Sequence, residues 1–302
     1  MRTFVTVNPK NLSHKAGFVS IVGKPNVGKS TLMNKLVGEN LSIITAKAQT
    51  TRHRIMGILN GVDFQIVYSD TPGILEPKYA LHEAMMNYVK VSLEDADVIL
   101  LVVEWGEKFD AAVYERFKMV TAPVLLLINK VDRVPKVDRN TMIEYWKNHL
   151  PVKEIIPVSA VSGENVEKIF PTLLQLLPEH PAYFPKEELT NRSERFFASE
   201  IIREKIFHNY SQEIPYSTEV GIEDFKDEEN ILRVRATIFV ERESQKGIVI
   251  GKGGSSLKKV GTEARIDMEK FFGKKIFLET RVKVSSDWRK QKDKLRSFGY
   301  LE

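Results

Sequence analysis

The sequence contains no cysteine. That absence excludes a disulfide framework, a thiolate metal site and a cysteine nucleophile, and it is compatible with a reducing compartment. Long apolar runs are missing as well. The longest clean ones, Val98–Val103 and Val124–Ile128, fall far short of the roughly 20 residues that span a bilayer. The N-terminal stretch MRTFVTVNPKNLSHK has neither the apolar segment nor the small-residue cleavage pattern of a secretory leader. A cytoplasmic protein is expected. No internal repeat and no low-complexity segment interrupts the chain.

What is present suffices for two domains: 302 residues, of which 42% are hydrophobic. The net charge of +5 is unevenly placed. Residues 231–302 hold 18 Lys/Arg against 9 Asp/Glu, and the stretch 213–230 before them is acidic. A basic C-terminal region suggests an anionic partner.

Between residues 17 and 178, short apolar runs alternate with amphipathic segments. The runs Phe18–Val22, Phe64–Tyr68, Val98–Val103, Val124–Ile128 and Ile155–Val158 read as strands, with His53–Leu59 as a further one. Leu81–Asp95 and Asn165–Leu177 read as helices. Near-continuous apolar strands separated by helices predict an α/β domain, its sheet mixed but mostly parallel, with helices on both faces. Pro178, Pro181 and Pro185 mark a linker over 179–192. From residue 193 onward the order changes to α-β-β-α-α-β followed by a terminal helix over Trp288–Phe298, with Lys246–Gly254 read as a Gly-rich turn. Residues 1–16 are expected to form a flexible extension.

Gly23-Lys24-Pro25-Asn26-Val27-Gly28-Lys29-Ser30 fits G-x-x-x-x-G-K-[ST], between a strand and a helix that Thr31 helps to open. Glycines let backbone N–H groups turn toward phosphate oxygens, and the helix adds the positive end of its dipole. Lys29 can reach the β- and γ-phosphates, and the Ser30 hydroxyl can ligate Mg²⁺. Asp70-Thr71-Pro72-Gly73 follows the second apolar run. There a carboxylate can hold Mg²⁺ through water, and the Gly73 N–H can meet the γ-phosphate, with Ile74 directly after it. Asn129-Lys130-Val131-Asp132 selects the base. The Asp132 carboxylate can accept from the ring N–H and the amine of guanine, a donor pair adenine lacks. Asn129 can bond the other edge, Lys130 can pack on the ring face, and Ser159-Ala160 can aim the Ala160 N–H at the base oxygen. All four motifs sit at strand C-termini, where ligands bind in open α/β sheets. A GTP/GDP site with Mg²⁺ follows.

On these motifs the first domain resembles the translation-factor-related small GTPases. Gln49-Thr50-Thr51-Arg52 looks like the first switch of that branch, and the resemblance implies that Thr51, ahead of Thr50, is a Mg²⁺ ligand. The metal set is then Ser30, Thr51 and Asp70, and the catalytic set Lys29, Thr51, Asp70 and Gly73. Ras-like proteins keep a water-orienting Gln beside the DxxG motif. Here Ile74 takes the next place, with no Gln nearby in sequence, so slow intrinsic turnover, on the order of 10⁻⁴–10⁻² s⁻¹, is expected. In similar GTPases an Asn at the position of Asn26 helps to hold K⁺.

Gly251-Lys252-Gly253-Gly254 is uninformative alone, but its α-β-β-α-α-β setting is that of a type II KH domain. Such a loop clamps the backbone of about four nucleotides of single-stranded RNA. Ile248, Val249 and Ile250 are expected near the bases. Lys252 and Lys258, with Lys246, Lys259, Lys274 and Lys275, supply a salt-sensitive attraction to phosphate. With the segments KAQTTRHR (47–54), RSERFFASEIIREKI (192–206) and VIGKGG (249–254), the chain over residues 17–301 resembles the Era-like GTPases of the TrmE-Era-EngA group. That resemblance implies a monomeric factor in small ribosomal subunit (30S) assembly and rRNA maturation. It also implies binding to the 3′ end of the small-subunit ribosomal RNA and a peripheral contact with the inner membrane. The alternative is a nucleotide-governed ribosome-binding scaffold whose hydrolysis is not coupled to RNA.

Overall fold

The computed structural model describes residues 14–45, 47–135 and 139–301. Its first unit is a six-stranded sheet of β1 (Lys15–Val22), β2 (Ile55–Asn60), β3 (Phe64–Asp70), β4 (Val98–Glu104), β5 (Val124–Asn129) and β6 (Glu154–Pro157). The spatial order is β2-β3-β1-β4-β5-β6. Only β2 runs antiparallel to its neighbour. The helices are α1 (Lys29–Val37), α2 (Ala80–Glu94), the short α3 (Ala111–Tyr114), α4 (Arg139–Lys147) and α5 (Ile169–Leu176). Helices α3 and α4 fall where the sequence reading assigned no element. β1 begins at Lys15, inside the expected extension; residues 1–13 lie outside the described residues.

Strand β4 shows why these strands are apolar throughout. Successive side chains leave a strand on opposite faces. Val98, Leu100 and Val102 pack with Leu32, Met33, Ile169 and Leu173 on one side of the sheet. Ile99, Leu101 and Val103 pack with Val89, Met142 and Trp146 on the other. Fully burying one such side chain is worth about 1.5–3 kcal/mol. The two-faced pattern therefore fixes this strand in the middle of the sheet and carries its C-terminal end to the nucleotide loops.

The proline-rich segment after α5 is not a free tether. Pro178 O accepts from Ala16 N, and Leu189 O accepts from Ile58 N of the edge strand β2 at 2.8 Å. The Gln65 carboxamide bonds Tyr183 N, Phe184 N and Phe184 O. The segment covers an edge that would otherwise offer unpaired backbone groups.

The second unit comprises α6 (Glu194–Asn209), α7 (Ile214–Ser217), β7 (Glu219–Asp227), β8 (Ile231–Val240), α8 (Glu243–Ile250), α9 (Ser255–Phe272), β9 (Lys275–Val284) and α10 (Lys292–Ser297). Its sheet runs β7-β8-β9, with β7 antiparallel and β9 parallel to β8. Two expectations are corrected. The stretch read as a Gly-rich turn over 246–254 is mostly α8, followed by a 3₁₀ turn over Lys252–Gly254. The expected terminal helix is broken into a 3₁₀ turn, Trp288–Lys290, and α10. The units meet where Leu81, Ala84 and Met85 of α2 pack on Trp288, Leu295 and Tyr300.

Candidate active site and nucleic-acid interface

The loop 23–30 joins β1 to α1 at the C-terminal edge of the sheet. Its glycines are required by contact as well as by conformation. A β-carbon at Gly23 would lie 2.2 Å from Val102 O, and one at Gly28, where φ is 99°, would lie 2.2 Å from Asn129 Nδ2. Pro25, Asn26, Gly28, Lys29, Ser30 and Thr31 line a cleft of about 560 Å³. Val27 is buried in the core beneath them. Lys24 turns its ammonium away, to Glu107 at 3.4 Å and Asp110 at 3.1 Å. The Lys29 ammonium donates to Lys24 O at 2.9 Å. Burial lowers its pKa to about 8, against the pull of Asp70 and Glu107. A polyphosphate in the cleft would supply the counter-charge this lysine lacks.

Three oxygen groups converge beside it. Ser30 Oγ lies 2.7 Å from Asp70 Oδ2 and 2.8 Å from Thr51 Oγ1. Asp70 is fully buried, its Oδ1 has no partner, and burial raises its pKa. Two hydroxyls and a carboxylate with one unsatisfied oxygen suit a hard cation. Mg²⁺ takes few protein ligands and completes its shell with phosphate oxygens and water. Among the described residues no cluster of three or more acidic or histidine side chains offers an all-protein cage. Ser30, Thr51 and Asp70 therefore fit Mg²⁺ brought with a nucleotide. Thr50 is occupied elsewhere, by Thr45 Oγ1 at 2.7 Å and Lys47 O at 2.8 Å.

In the 70–74 segment, Thr71 is a brace whose hydroxyl donates to Ile21 O at 2.9 Å. Pro72 is buried. Gly73 lines the cleft. Ile74 was expected beside the nucleotide, but its side chain is 3% exposed and packs in the sheet core. Only its backbone reaches the loop, where its N–H donates to Gly23 O at 3.0 Å. An apolar side chain at a sheet edge gains more from that core than from a phosphate-lined cleft.

The base motif is arranged differently from expectation at two atoms. Asn129 Nδ2 donates to Val27 O at 2.7 Å, and Asn129 Oδ1 accepts from Ala160 N at 2.9 Å. Its amide thus ties the phosphate loop to the 159–160 loop, and the Ala160 N–H is turned to Asn129. Buried polar groups that can pair within the protein do so. Ser159 is buried and its hydroxyl accepts from Ser162 N. Lys130 and Asp132 both line the cleft. Lys130 is held by Glu104 at 2.7 Å. Asp132 is exposed, and its carboxylate pairs with no group among the described residues. It is the acceptor available to a guanine edge.

In the second unit Ile248 is half exposed, Ile250 is partly buried, and Lys252 and Lys258 are exposed without ion pairs among the described residues. Val249, expected near bases, is instead fully buried in the core, and its carbonyl accepts from Tyr210 OH at 2.7 Å. On a helix, neighbours point about 100° apart, so Ile248 and Val249 cannot face the same ligand. Gly251, Gly253 and Gly254 have φ of 73°, 59° and 79°, conformations glycine adopts without strain. Lys246, Lys259 and Lys274 pair with Glu243, Glu263 and Asp227.

The sequence reading missed Gln49 as a cleft residue. Gln49 lines the cleft between Thr45 and Thr51 at φ 58°, with its amide toward His82. Positive φ at a non-glycine position has no sequence signal.

Comparison with known proteins follows the same division. A family model described as 50S ribosome-binding GTPase matches residues 18–130, and a KH domain model matches residues 213–289. The chain is 46% identical over 297 residues to GTPase Era of Syntrophus aciditrophicus (strain SB), covering 97% of each protein. It is 45% identical over 293 residues to GTPase Era of Staphylococcus haemolyticus (strain JCSC1435), covering 96% of this chain and 98% of that one. A crystal structure of Era in complex with MgGDPNP and nucleotides 1506–1542 of 16S ribosomal RNA matches with a TM-score of 0.91 at 41% identity, over 96% of this chain and all of that one. An Aquifex aeolicus Era variant bound to GDP·AlF4⁻ matches with a TM-score of 0.91 and 41% identity, over 95% of this chain.

Proposed function

The chain belongs to the Era family of GTPases, and on that premise we propose that it couples GTP hydrolysis to binding the 3′ end of small-subunit ribosomal RNA during assembly of that subunit and maturation of its RNA. The observation that carries the reading is one chain with two sites. One is the Ser30–Thr51–Asp70 cluster at the phosphate loop. The other is the left-handed glycine loop 251–254 beside exposed Ile248 and Lys252.

In the nucleotide site Lys29 neutralises phosphate charge, Gly73 lets the backbone approach the γ-phosphate, and Asp132 selects guanine. Ser30, Thr51 and Asp70 would hold Mg²⁺, which supplies charge neutralisation at the β- and γ-phosphates. K⁺ beside Asn26 is the finer part of the reading. Equal hydrolysis rates in KCl and NaCl at matched ionic strength would remove it. A peripheral membrane contact rests on the family resemblance, with the basic C-terminal region compatible with it, and vesicle flotation without RNA tests it.

GTP hydrolysis is to be measured with and without a single-stranded RNA copying the 3′ end of small-subunit rRNA, for wild type and Gly253→Asp. A β-carbon at Gly253 meets nothing within 4 Å, and Asp tolerates the left-handed φ of 59° better than most residues, so the variant, checked for wild-type circular dichroism, places a carboxylate where phosphate must approach. Stimulation in wild type and its loss in the variant is the expected result. RNA binding without any effect on hydrolysis favours the scaffold reading.

A further inference from the structure

With Ile74 buried in the core, no side chain directly after Gly73 can orient water. A glutamine approaches from the other side. Gln49 lines the cleft together with Lys29, Thr51 and Gly73, two residues before the metal-site threonine. Its backbone holds φ 58°, a left-handed conformation uncommon outside Gly, Asn and Asp. Its Oε1 faces Nε2 of His82 on α2 at 3.3 Å. His82 is buried, and burial together with Arg289, Arg52 and Lys78 lowers its pKa to about 4, so the ring is neutral near pH 7. A neutral ring protonated on Nε2 donates to Gln49 Oε1, and that oxygen keeps a second lone pair.

The histidine is linked to the second unit through Tyr79. Its ring packs on Tyr79 with centroids 3.9 Å apart. The Arg289 guanidinium lies 5.0 Å over the Tyr79 ring and donates to Glu241. Glutamine, histidine, tyrosine and arginine thus form a contiguous line from the cleft to the C-terminal domain.

We propose that Gln49 is the catalytic residue that orients the attacking water, that His82 is its positioning residue, and that the Tyr79–Arg289 contact ties this positioning to docking of the C-terminal domain. The inference rests on the GTPase reading. In the step, the water oxygen bonds to the γ-phosphorus as the bond from that phosphorus to the β,γ-bridging oxygen breaks. GDP leaves with the electron pair, and the water's proton ends on the released phosphate. Gln49 accepts a hydrogen bond from the water through Oε1 and retains no proton.

Single-turnover GTP hydrolysis and nucleotide affinity of the full chain separate the roles. Gln49→Asn suits the left-handed backbone but withdraws the amide by one methylene, and a misplacement of that size costs about 100-fold in rate. The expected result is that loss, with GTP affinity within about twofold of wild type. His82→Leu should match it, His82→Gln, which restores an N–H donor, should recover most of the rate, and the double variant Gln49→Asn/His82→Leu should be no slower than either single one. A wild-type rate in Gln49→Asn, an equal loss of affinity and rate, or additive single variants would each overturn the proposal. A wild type that binds GTP without hydrolysing it would instead overturn the GTPase reading.

Discussion

Gly73 has no space for a side chain. A β-carbon there would lie 2.6 Å from Pro25 N and 2.7 Å from Pro25 Cα. These are backbone atoms of the phosphate loop, which cannot rotate aside as a flexible side chain does. Gly73→Ala must therefore push the DTPG segment and the phosphate loop apart. We expect GTP affinity to fall at least about tenfold, equivalent to roughly 1.4 kcal/mol, measured by titration with a fluorescent GTP analogue. A value within twofold of wild type would mean that the two loops do not approach so closely in solution. The glycine itself was legible in the sequence, as the member of the DTPG motif whose N–H can meet the γ-phosphate. The side-chain directions were not. Lys24, Val27 and Asn129 all lie in motifs, yet one pairs with Glu107 and Asp110, one is buried, and one braces two loops. A motif records that a residue type is needed and leaves open which atom is used.

At the scale of elements, α2 and the C-terminal segment stand or fall together. Trp288 is fully buried, and its indole N–H donates to Ser217 O at 2.9 Å. Truncating such a residue costs about 3–5 kcal/mol. Trp288→Ala should lower the urea midpoint accordingly and expose Leu81 and Met85 of α2, read as faster amide exchange there. The histidine on the same helix gives a second prediction. Burial, with Arg289, Arg52 and Lys78 nearby, lowers the folded pKa of His82 from its ordinary 6.5 to about 4, so between those values the unfolded chain binds more protons. The stabilising contribution of the neutral ring is fully present above pH 6.5 and is lost as pH falls toward 4. Wild type should lose more thermal stability than His82→Gln between pH 6.5 and 4.5, and parallel curves for the two would refute the assignment. Elements with strong periodicity or two-faced burial, such as β4 and α9, could be read from the sequence. Helix α8 could not, because Gly247 and Gly251 flank its apolar residues and mimic a turn. Its helical state comes from packing Val249 into the core against a weak local preference.

The whole molecule is organised around the segment that carries Thr51. Lys47 donates to Phe207 O and Tyr210 O. Arg203, buried and paired with Glu200, donates to Thr50 O at 2.5 Å. Arg52, the next residue after Thr51, enters the C-terminal domain and donates to Thr218 O at 2.7 Å, Tyr216 O at 3.0 Å and Pro215 O at 3.1 Å. It also pairs with buried Glu219 at 3.0 Å. A residue joined through its backbone to Thr51 and through its side chain to α7 and β7 can transmit displacement in both directions. Removing Arg52 alone leaves Glu219 buried without its cation, which costs about 3–5 kcal/mol. Stability loss and coupling loss would then be confounded. The pair Arg52→Met/Glu219→Met removes the uncompensated charge, although the Thr218, Tyr216 and Pro215 carbonyls lose their donor. We expect the double variant to melt below wild type but above Arg52→Met alone, and to bind GTP. Its affinity for the rRNA 3′ end should no longer differ between the GDP and GTP-analogue states, whereas under the proposed coupling wild type should discriminate between them. If the double variant still discriminates as wild type does, coupling runs through the α2–Trp288 contact, and Arg52 serves only to hold the domains together.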